Sequence, residues 1–250
     1  MSVYIITHKN YTQQIITDSS YKTLLVGAYK GHITGDYFDD VGENISEKNK
    51  NYCELTGLYW LWKNSNDSYI GIVHYRRYFT HDFYGKVALR EDEINRLLTK
   101  YDIILPFHRT YNTSIEEDYC EISGFKEDLE KVRSIIDQNC PEYVADFDSI
   151  MGGHKVFLYN MFITKKKYFD LYCNWLFSIL FNLEKEIDLT HYNDYQKRIY
   201  GFLSERLLNV WIRHNGLKLC EVGVLSTERE VSTPIKFLTG IKRSFLFYTL

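Results

Sequence analysis

Several large protein classes are excluded by what this sequence lacks. Its five cysteines (Cys53, Cys120, Cys140, Cys173, Cys220) are odd in number, widely spaced and include no C-x-x-C pair. That argues against a disulfide framework or a zinc site and fits reduced thiols in a cytoplasmic protein. No apolar run reaches the roughly 18 residues that a membrane span needs. The opening Met-Ser-Val-Tyr-Ile-Ile-Thr-His-Lys has no charged segment followed by an apolar one, so no signal peptide is expected. A net charge of -3 supplies no basic field for non-specific nucleic-acid binding. There is no G-x-x-x-x-G-K-[ST], G-x-G-x-x-G, H-E-x-x-H, Ser nucleophile elbow or kinase signature. No internal repeat or low-complexity segment is visible.

What is present is a 250-residue chain, 45% hydrophobic and 25% charged, enough for one large α/β domain with or without a small helical appendage. Its 22 Tyr and 15 Phe suit sugar or base stacking, or simply an aromatic core and surface. The most informative stretch runs from Asn49 to Phe79. Tyr52, Leu55, Tyr59 and Trp62 are spaced three and four apart, which predicts a helix with one apolar face. Asn64-Ser-Asn-Asp-Ser breaks it. Tyr69 to Val73 is a short continuous apolar run, expected of a strand buried on both faces. That strand stops at His74, Arg76 and Arg77, cations that are costly at a buried strand end without an anion. Strand alternation puts His74 and Arg76 on one side and Arg77 on the other. Ligands bind beyond the strand ends of open α/β sheets, so a diphosphate site is expected here.

Elsewhere, Val3 to Thr7 reads as a strand ending in His8 and Lys9, and Leu24 to Ala28 as another, closing on Gly27 and Gly31. Asn51 with Glu54 resembles a capping box for the organising helix. Helices are expected over Arg90 to Lys100, Lys126 to Asn139, Tyr168 to Asn182 and Phe202 to His214, with strands at Tyr101 to Pro106, Val156 to Thr164 and Leu217 to Leu225. Two β-helix-β units in the first 106 residues argue for a mostly parallel sheet. Residues 107–123 read as a polar loop. The repeat Asp170, Asn174, Ser178, Asn182 reads as a solvated helix stripe. Asn160 interrupts an apolar run and so is either a satisfied core amide or a ligand contact. Asp146-Phe147-Asp148 follows no good strand and reads as a surface turn, while leaving metal dependence open. The tail from residue 226, with Lys236, Lys242, Arg243 and several aromatics, is expected to pack on the domain or lie at a membrane surface.

The runs N-I-S-E-K-N-K-N-Y-C-E-L-T-G-L-Y-W-L-W-K-N, Y-I-G-I-V-H-Y-R-R-Y-F, Y-N-M-F-I and R-I-Y-G-F-L-S-E-R-L-L-N-V-W-I resemble a bacterial family long filed as a domain of unknown function. That family is associated with capsular, exopolysaccharide and O-antigen glycosyltransferases. The likeness covers about residues 3–225. It implies an α/β, GT-A-like single Rossmann-type domain with a mostly parallel central sheet and a helical C-terminal part, spanning 1–225. It further implies a nucleotide-sugar donor and transfer to a lipid-linked glycan; UDP and galactose are the guesses it suggests.

Under that resemblance, His74 and Arg76 stand where related enzymes place a metal-binding Asp-x-Asp. Protonated side chains and a metal ion can both neutralise a leaving diphosphate. No metal is therefore required, with Mn2+ or Mg2+ left open. His8, Lys9, Asn44, Lys48 and Asn49 would meet the nucleotide, His74, Arg76 and Arg77 the diphosphate, and His154 and Asn160 the sugar or acceptor. Glu205, read as opening its helix, would deprotonate the acceptor hydroxyl. For Asn44, Lys48 and Asn49 a helix cap and a solvated Lys is an equal reading, as a first-turn carboxylate or an ion pair with Arg206 is for Glu205. Expected partners are the donor and a lipid-linked acceptor, with contact at the inner membrane and no nucleic acid. The alternatives are a non-catalytic nucleotide- or glycan-binding domain of the same fold, or an RNA-binding protein stacking bases on tyrosines.

Overall fold

The computed structural model describes residues 1–12, 15–27, 35–227 and 241–242. Ala28, Gly31 and most of the tail beyond 227, including Lys236 and Arg243, lie outside the described residues. The first elements are β1 (Ser2–Thr7), β2 (Tyr21–Leu25), β3 (Tyr37–Phe38), α1 (Asn49–Tyr52), α2 (Leu55–Asn64), β4 (Tyr69–His74) and β5 (Arg77–Phe79). Next come α3 (Glu91–Lys100), β6 (Ile103–Pro106), β7 (Arg109–Thr110), α4 (Ile115–Ile122), α5 (Lys126–Asn139) and α6 (Val144–Met151). The last are β8 (Lys155–Val156), β9 (Phe162–Lys165), α7 (Lys166–Glu186), α8 (Ile199–His214), β10 (Leu219–Val222) and β11 (Val224–Ser226).

The main path of the sheet runs β10-β6-β9-β4-β1-β2-β3. Only β9 is antiparallel to its neighbours on that path, so the sheet is mostly parallel, as expected. The buried strands alternate between two cores. Tyr4, Ile6, Ile70, Ile72, Ile103 and Leu105 pack on one side, while Val3, Ile5, Val73 and Ile104 pack on the other. A strand covered on both faces must be apolar at every position, which is why β1 and β4 were visible as continuous runs. On the first side α2 lies close against β1. A methyl at Gly57 would stand 2.9 Å from Ile6 Cδ1 and 3.0 Å from Val26 Cγ1, so any larger residue would push the helix off the sheet. Helix α7 buries Phe169, Tyr172, Leu176, Phe177, Leu180 and Leu183 in the same core. Its opposite stripe is Asn174 and Ser178, exposed, with Asp170 and Asn182 half-buried, as the repeat predicted.

Six local expectations are corrected. The organising helix is broken between α1 and α2 at Cys53, whose backbone takes φ 52° and ψ -130°. Asn51 and Glu54 form no capping box: Asn51 Nδ2 donates to Lys197 O, and Glu54 stands at the head of α2 without capping it. Residues 107–123 are not a loop throughout, because Ser114 and Glu117 form a reciprocal capping box that starts α4. The run Val156 to Thr164 is divided into β8 and β9 by Tyr159 and Asn160, both left-handed at φ 78° and 49°. Asp146 and Asp148 lie within α6 rather than on a turn. Leu217 to Leu225 becomes β10, parallel to β6, and part of β11, antiparallel to β5.

Candidate functional site

A cleft of about 420 Å³ opens at the carboxyl ends of β1 and β4. Thr7 and His8 come from the end of β1, and Asn49, Lys50, Cys53 and Glu54 from the α1–α2 break. The β4–β5 turn supplies His74, Tyr75, Arg76 and Arg77, and the far wall is Tyr159 with Arg198, just before α8, and Glu205 within it. Cationic, acidic and polar side chains thus converge where parallel strands end, the usual place for a ligand in such a sheet.

The β4–β5 connection changes the expected geometry. His74 and Arg77 are paired across a two-residue hairpin turn, so alternation along one strand does not apply, and both of them line the cleft. His74 is also not a cation. Its Nε2 lies 2.6 Å from Tyr159 O, and a carbonyl only accepts, so that nitrogen carries the hydrogen. Burial lowers the ring's pKa to about 4, with Arg77 and Arg76 adding to the effect. Two of the three strand-end cations therefore remain. Arg77 lies over the Tyr159 ring, 4.4 Å from its centroid, and Arg76 lies 5.0 Å from that of Tyr75. Arg198, which sequence reasoning did not single out, joins them and donates from Nε to Cys53 Sγ at 3.2 Å. Partial burial and the charges of Lys9, Arg76 and Arg198 lower the pKa of His8.

The floor is acidic. Glu205 Oε1 accepts from Tyr159 N at 2.8 Å and Oε2 from Arg206 Nη1 at 3.2 Å. Glu54 Oε1 accepts from Asn160 Nδ2 at 2.7 Å. Burial raises the pKa of both carboxyls, and their mutual repulsion adds to the rise at Glu205. Glu205 does not open its helix: α8 begins at Ile199, which places Glu205 beyond the first turn and removes the helix-terminus reading. Asn160 is fully buried beneath the cleft, donating also to Gly201 O at 3.2 Å.

The remaining expected site residues are placed as follows. Asn49 lines the cleft, donating to Cys53 O and Thr56 Oγ1, and sits so close to Gly27 (φ 91°) that a Cβ there would be 2.7 Å from Asn49 Oδ1. Lys9 is exposed beside the cleft, 5.3 Å from the Tyr75 ring centroid. Lys48 is not brought to the cleft; its Nζ binds both oxygens of Glu184 at 2.8 and 2.7 Å. Asn44 closes a local turn, donating to Gly42 O and accepting from Ser46 N. His154 is exposed outside the cleft and donates from Nδ1 to Thr113 O at 2.9 Å. Glu54, Tyr159 and Arg198 are among the cleft residues the sequence did not point to as functional, as are Lys50, Cys53 and Tyr75. Arg198 did open one of the resembling runs, R-I-Y-G-F-L, and that was its only signal.

Among the described residues, no group of three or more His, Cys, Asp or Glu side chains is placed to hold a metal ion. The two floor carboxylates are already engaged by Asn160, Tyr159 and Arg206.

Fold and cleft together define an α/β domain with a strand-end crevice whose cationic rim and acidic floor suit an anionic ligand and proton transfer. The chain belongs to the family described as domain of unknown function DUF4422, whose sequence profile matches residues 2–216. It is similar to the apo structure of WbbM, a bifunctional glycosyltransferase, at 30% identity and a TM-score of 0.82. That match covers 92% of this chain and 46% of WbbM, so the chain spans less than half the length of that protein. No curated protein matches at a comparable level. The likeness agrees with the family read from H-Y-R-R-Y-F and with the α/β, mostly parallel fold it implied. Among the described residues no helix is long and apolar enough to cross a membrane.

Proposed function

We propose that the protein is a glycosyltransferase that moves a hexose from a nucleoside-diphosphate sugar to a glycan acceptor in polysaccharide synthesis. The observation that carries this reading is the pairing of Arg76, Arg77 and Arg198 at the mouth of one cleft with two raised-pKa carboxyls on its floor. The likeness to WbbM supports it. Arginines suit a leaving diphosphate because each guanidinium offers two parallel donors to phosphate oxygens. A carboxylate whose pKa is raised by burial suits removal of a proton from an acceptor hydroxyl. Glu54 and Glu205 are the two carboxyls that line the cleft and so the candidates for that role. His8, Lys9 and Asn49 flank the nucleotide side, and the neutral His74 holds the Tyr159 backbone rather than a phosphate. UDP-galactose as donor, a lipid-linked acceptor and work at the cytoplasmic face of the inner membrane complete the proposal.

The test is a thermal-shift panel of nucleoside diphosphates and their sugars, with and without Mn2+. UDP or GDP species should raise the melting temperature, and no shift with any of them would overturn the reading. Arg76→Ala should weaken nucleotide binding by about 10- to 100-fold, as expected for loss of a charge-assisted hydrogen bond, without lowering the melting temperature of the free protein.

A further inference from the structure

Among the described residues, three non-glycine positions have positive φ: Cys53, Tyr159 and Asn160. All three belong to the cleft, two on its wall and one directly beneath it. Left-handed backbone at such residues is strained and persists only where its surroundings hold it. Here it sets the two floor carboxylates. The break at Cys53 turns the chain so that Glu54 heads α2 with its side chain in the cleft and no capping bond to make. The left-handed pair offers Asn160 Nδ2 to Glu54 and Tyr159 N to Glu205, while Tyr159 O receives the His74 ring.

The two carboxylates are held differently. Glu205 has both oxygens engaged, one by a backbone N–H and one by a guanidinium. Glu54 is bound by one other side chain, the Asn160 amide, on Oε1. Its own backbone N–H, and the more distant charges of Arg198 and Arg77, are the other groups that favour its ionised form.

We propose that Glu54 is the proton acceptor of the transfer reaction and that Glu205 is a positioning residue that locks Tyr159. The assignment rests on the glycosyltransferase reading above. In the step, the acceptor hydroxyl gives its proton to the second carboxylate oxygen of Glu54 as its oxygen bonds to the anomeric carbon of the donor. The bond from that carbon to the diphosphate breaks, and its electron pair leaves on the diphosphate oxygen facing the arginines. Desolvation makes Glu54 a stronger base than an exposed glutamate, and the charges of Arg198 and Arg77 act against that rise and favour the ionised form that accepts a proton.

The experiment uses the full chain and whichever nucleotide sugar gives the largest thermal shift, with release of nucleoside diphosphate as the rate. Glu54→Gln keeps the shape and the Asn160 contact; it should bind the nucleotide as the wild type does and lose about 10²- to 10⁴-fold in turnover. Glu205→Gln still accepts from Tyr159 N and should stay within about tenfold of the wild type. Turnover of Glu54→Ala should recover in part with added formate, which a purely structural glutamate would not allow. The wild-type pH–rate profile should show an acidic limb above the ordinary glutamate range, a reading that needs no variant. Near-normal turnover in Glu54→Gln, a Glu205→Gln enzyme equally dead, or no acidic limb would each overturn the assignment. A wild-type protein that binds no nucleoside diphosphate would instead sink the glycosyltransferase reading, and that is seen before any variant is made.

Discussion

Among the described residues, the carboxylate pair on α6 and the carboxylate pair in the cleft stand in opposite electrostatic settings. On α6, Asp148 is gripped by Arg133 through Nε and Nη2, both at 2.7 Å, and that bond lowers its pKa. Asp146 meets Arg213 Nε and His214 Nδ1, each at 2.9 Å. In the cleft, Glu54 and Glu205 are desolvated, repel one another and have their pKa raised. The literal Asp-x-Asp is therefore consumed in surface ion pairs, whereas the two cleft carboxyls lie within the runs that carry the family resemblance and are the candidates for chemistry. Incomplete neutralisation under burial, rather than the presence of a motif, separates the two regions. A further buried carboxylate stands behind the cleft floor: Asp118 pairs with Arg206 at 3.1 Å, and the same guanidinium reaches Glu205.

That buried pair gives the largest expected effect. Arg206 and Asp118 have side chains only 5% and 7% exposed. Asp118→Asn would leave a buried guanidinium with one carboxylate instead of two, and removing a partner from a buried pair costs about 3–5 kcal/mol. Glu205 remains to Arg206, so about 3 kcal/mol is expected by chemical denaturation. A loss under about 1 kcal/mol would mean that this pair behaves like the exposed ones on α6.

Acid titration separates the regions next. His74 has a folded pKa of about 4 against an ordinary 6.5, so the unfolded chain binds more protons between those values. The stability from a neutral His74 is complete above pH 6.5 and is lost as pH falls through 4. A shift of that size corresponds to about 3 kcal/mol at most. Glu54 and Glu205 act in the opposite sense: their raised pKa contributes stability at low pH that is lost as pH rises. Comparing wild type with His74→Gln cancels what the carboxylates contribute independently of the ring and leaves the His74 titration together with its coupling to Glu205. The stability of wild type relative to the variant should fall between pH 6.5 and 4. A flat difference would mean that the imidazole is charged in the folded state and that the strand-end cluster has three cations after all.

Which parts were legible in the sequence follows from the same contrast. β1 and β4 were visible because burial on both faces demands unbroken apolar runs, and α3, α5, α7 and α8 because one apolar face demands helical spacing. α4 was missed although Ser114-Ile-Glu-Glu117 is a readable capping signal; its polar composition outweighed the cap. The strand end at His74–Arg77 was found, but its geometry was not, since a two-residue hairpin leaves no mark in alternation. Glu54 was taken for a capping residue because the break at Cys53 has no glycine or proline to announce it. Tyr159 and Asn160 likewise adopt left-handed backbone that only tertiary contacts enforce. Those strained positions place the candidate chemistry, so the site was less legible than the fold that carries it.

The smallest effect tests the outer half of the comparison. Arg133 and Asp148 have side chains 45% and 47% exposed, so water competes for both partners and the Coulombic gain is small even in a bidentate arrangement. Asp148→Asn keeps one acceptor oxygen for Arg133 and should change stability by less than about 1 kcal/mol at neutral pH. Because hydrogen bonding from Arg133 lowers the pKa of Asp148, whatever stability the pair supplies is present above the ordinary aspartate pKa and is lost as pH falls below it. Turnover should stay within about twofold of wild type, and any response to Mn2+ should be the same in both proteins. If Asp148→Asn instead removed a Mn2+ dependence that the wild type possesses, the α6 carboxylates would have to leave their ion pairs during the reaction. The Asp-x-Asp, rather than the cleft floor, would then be where the acidic chemistry resides.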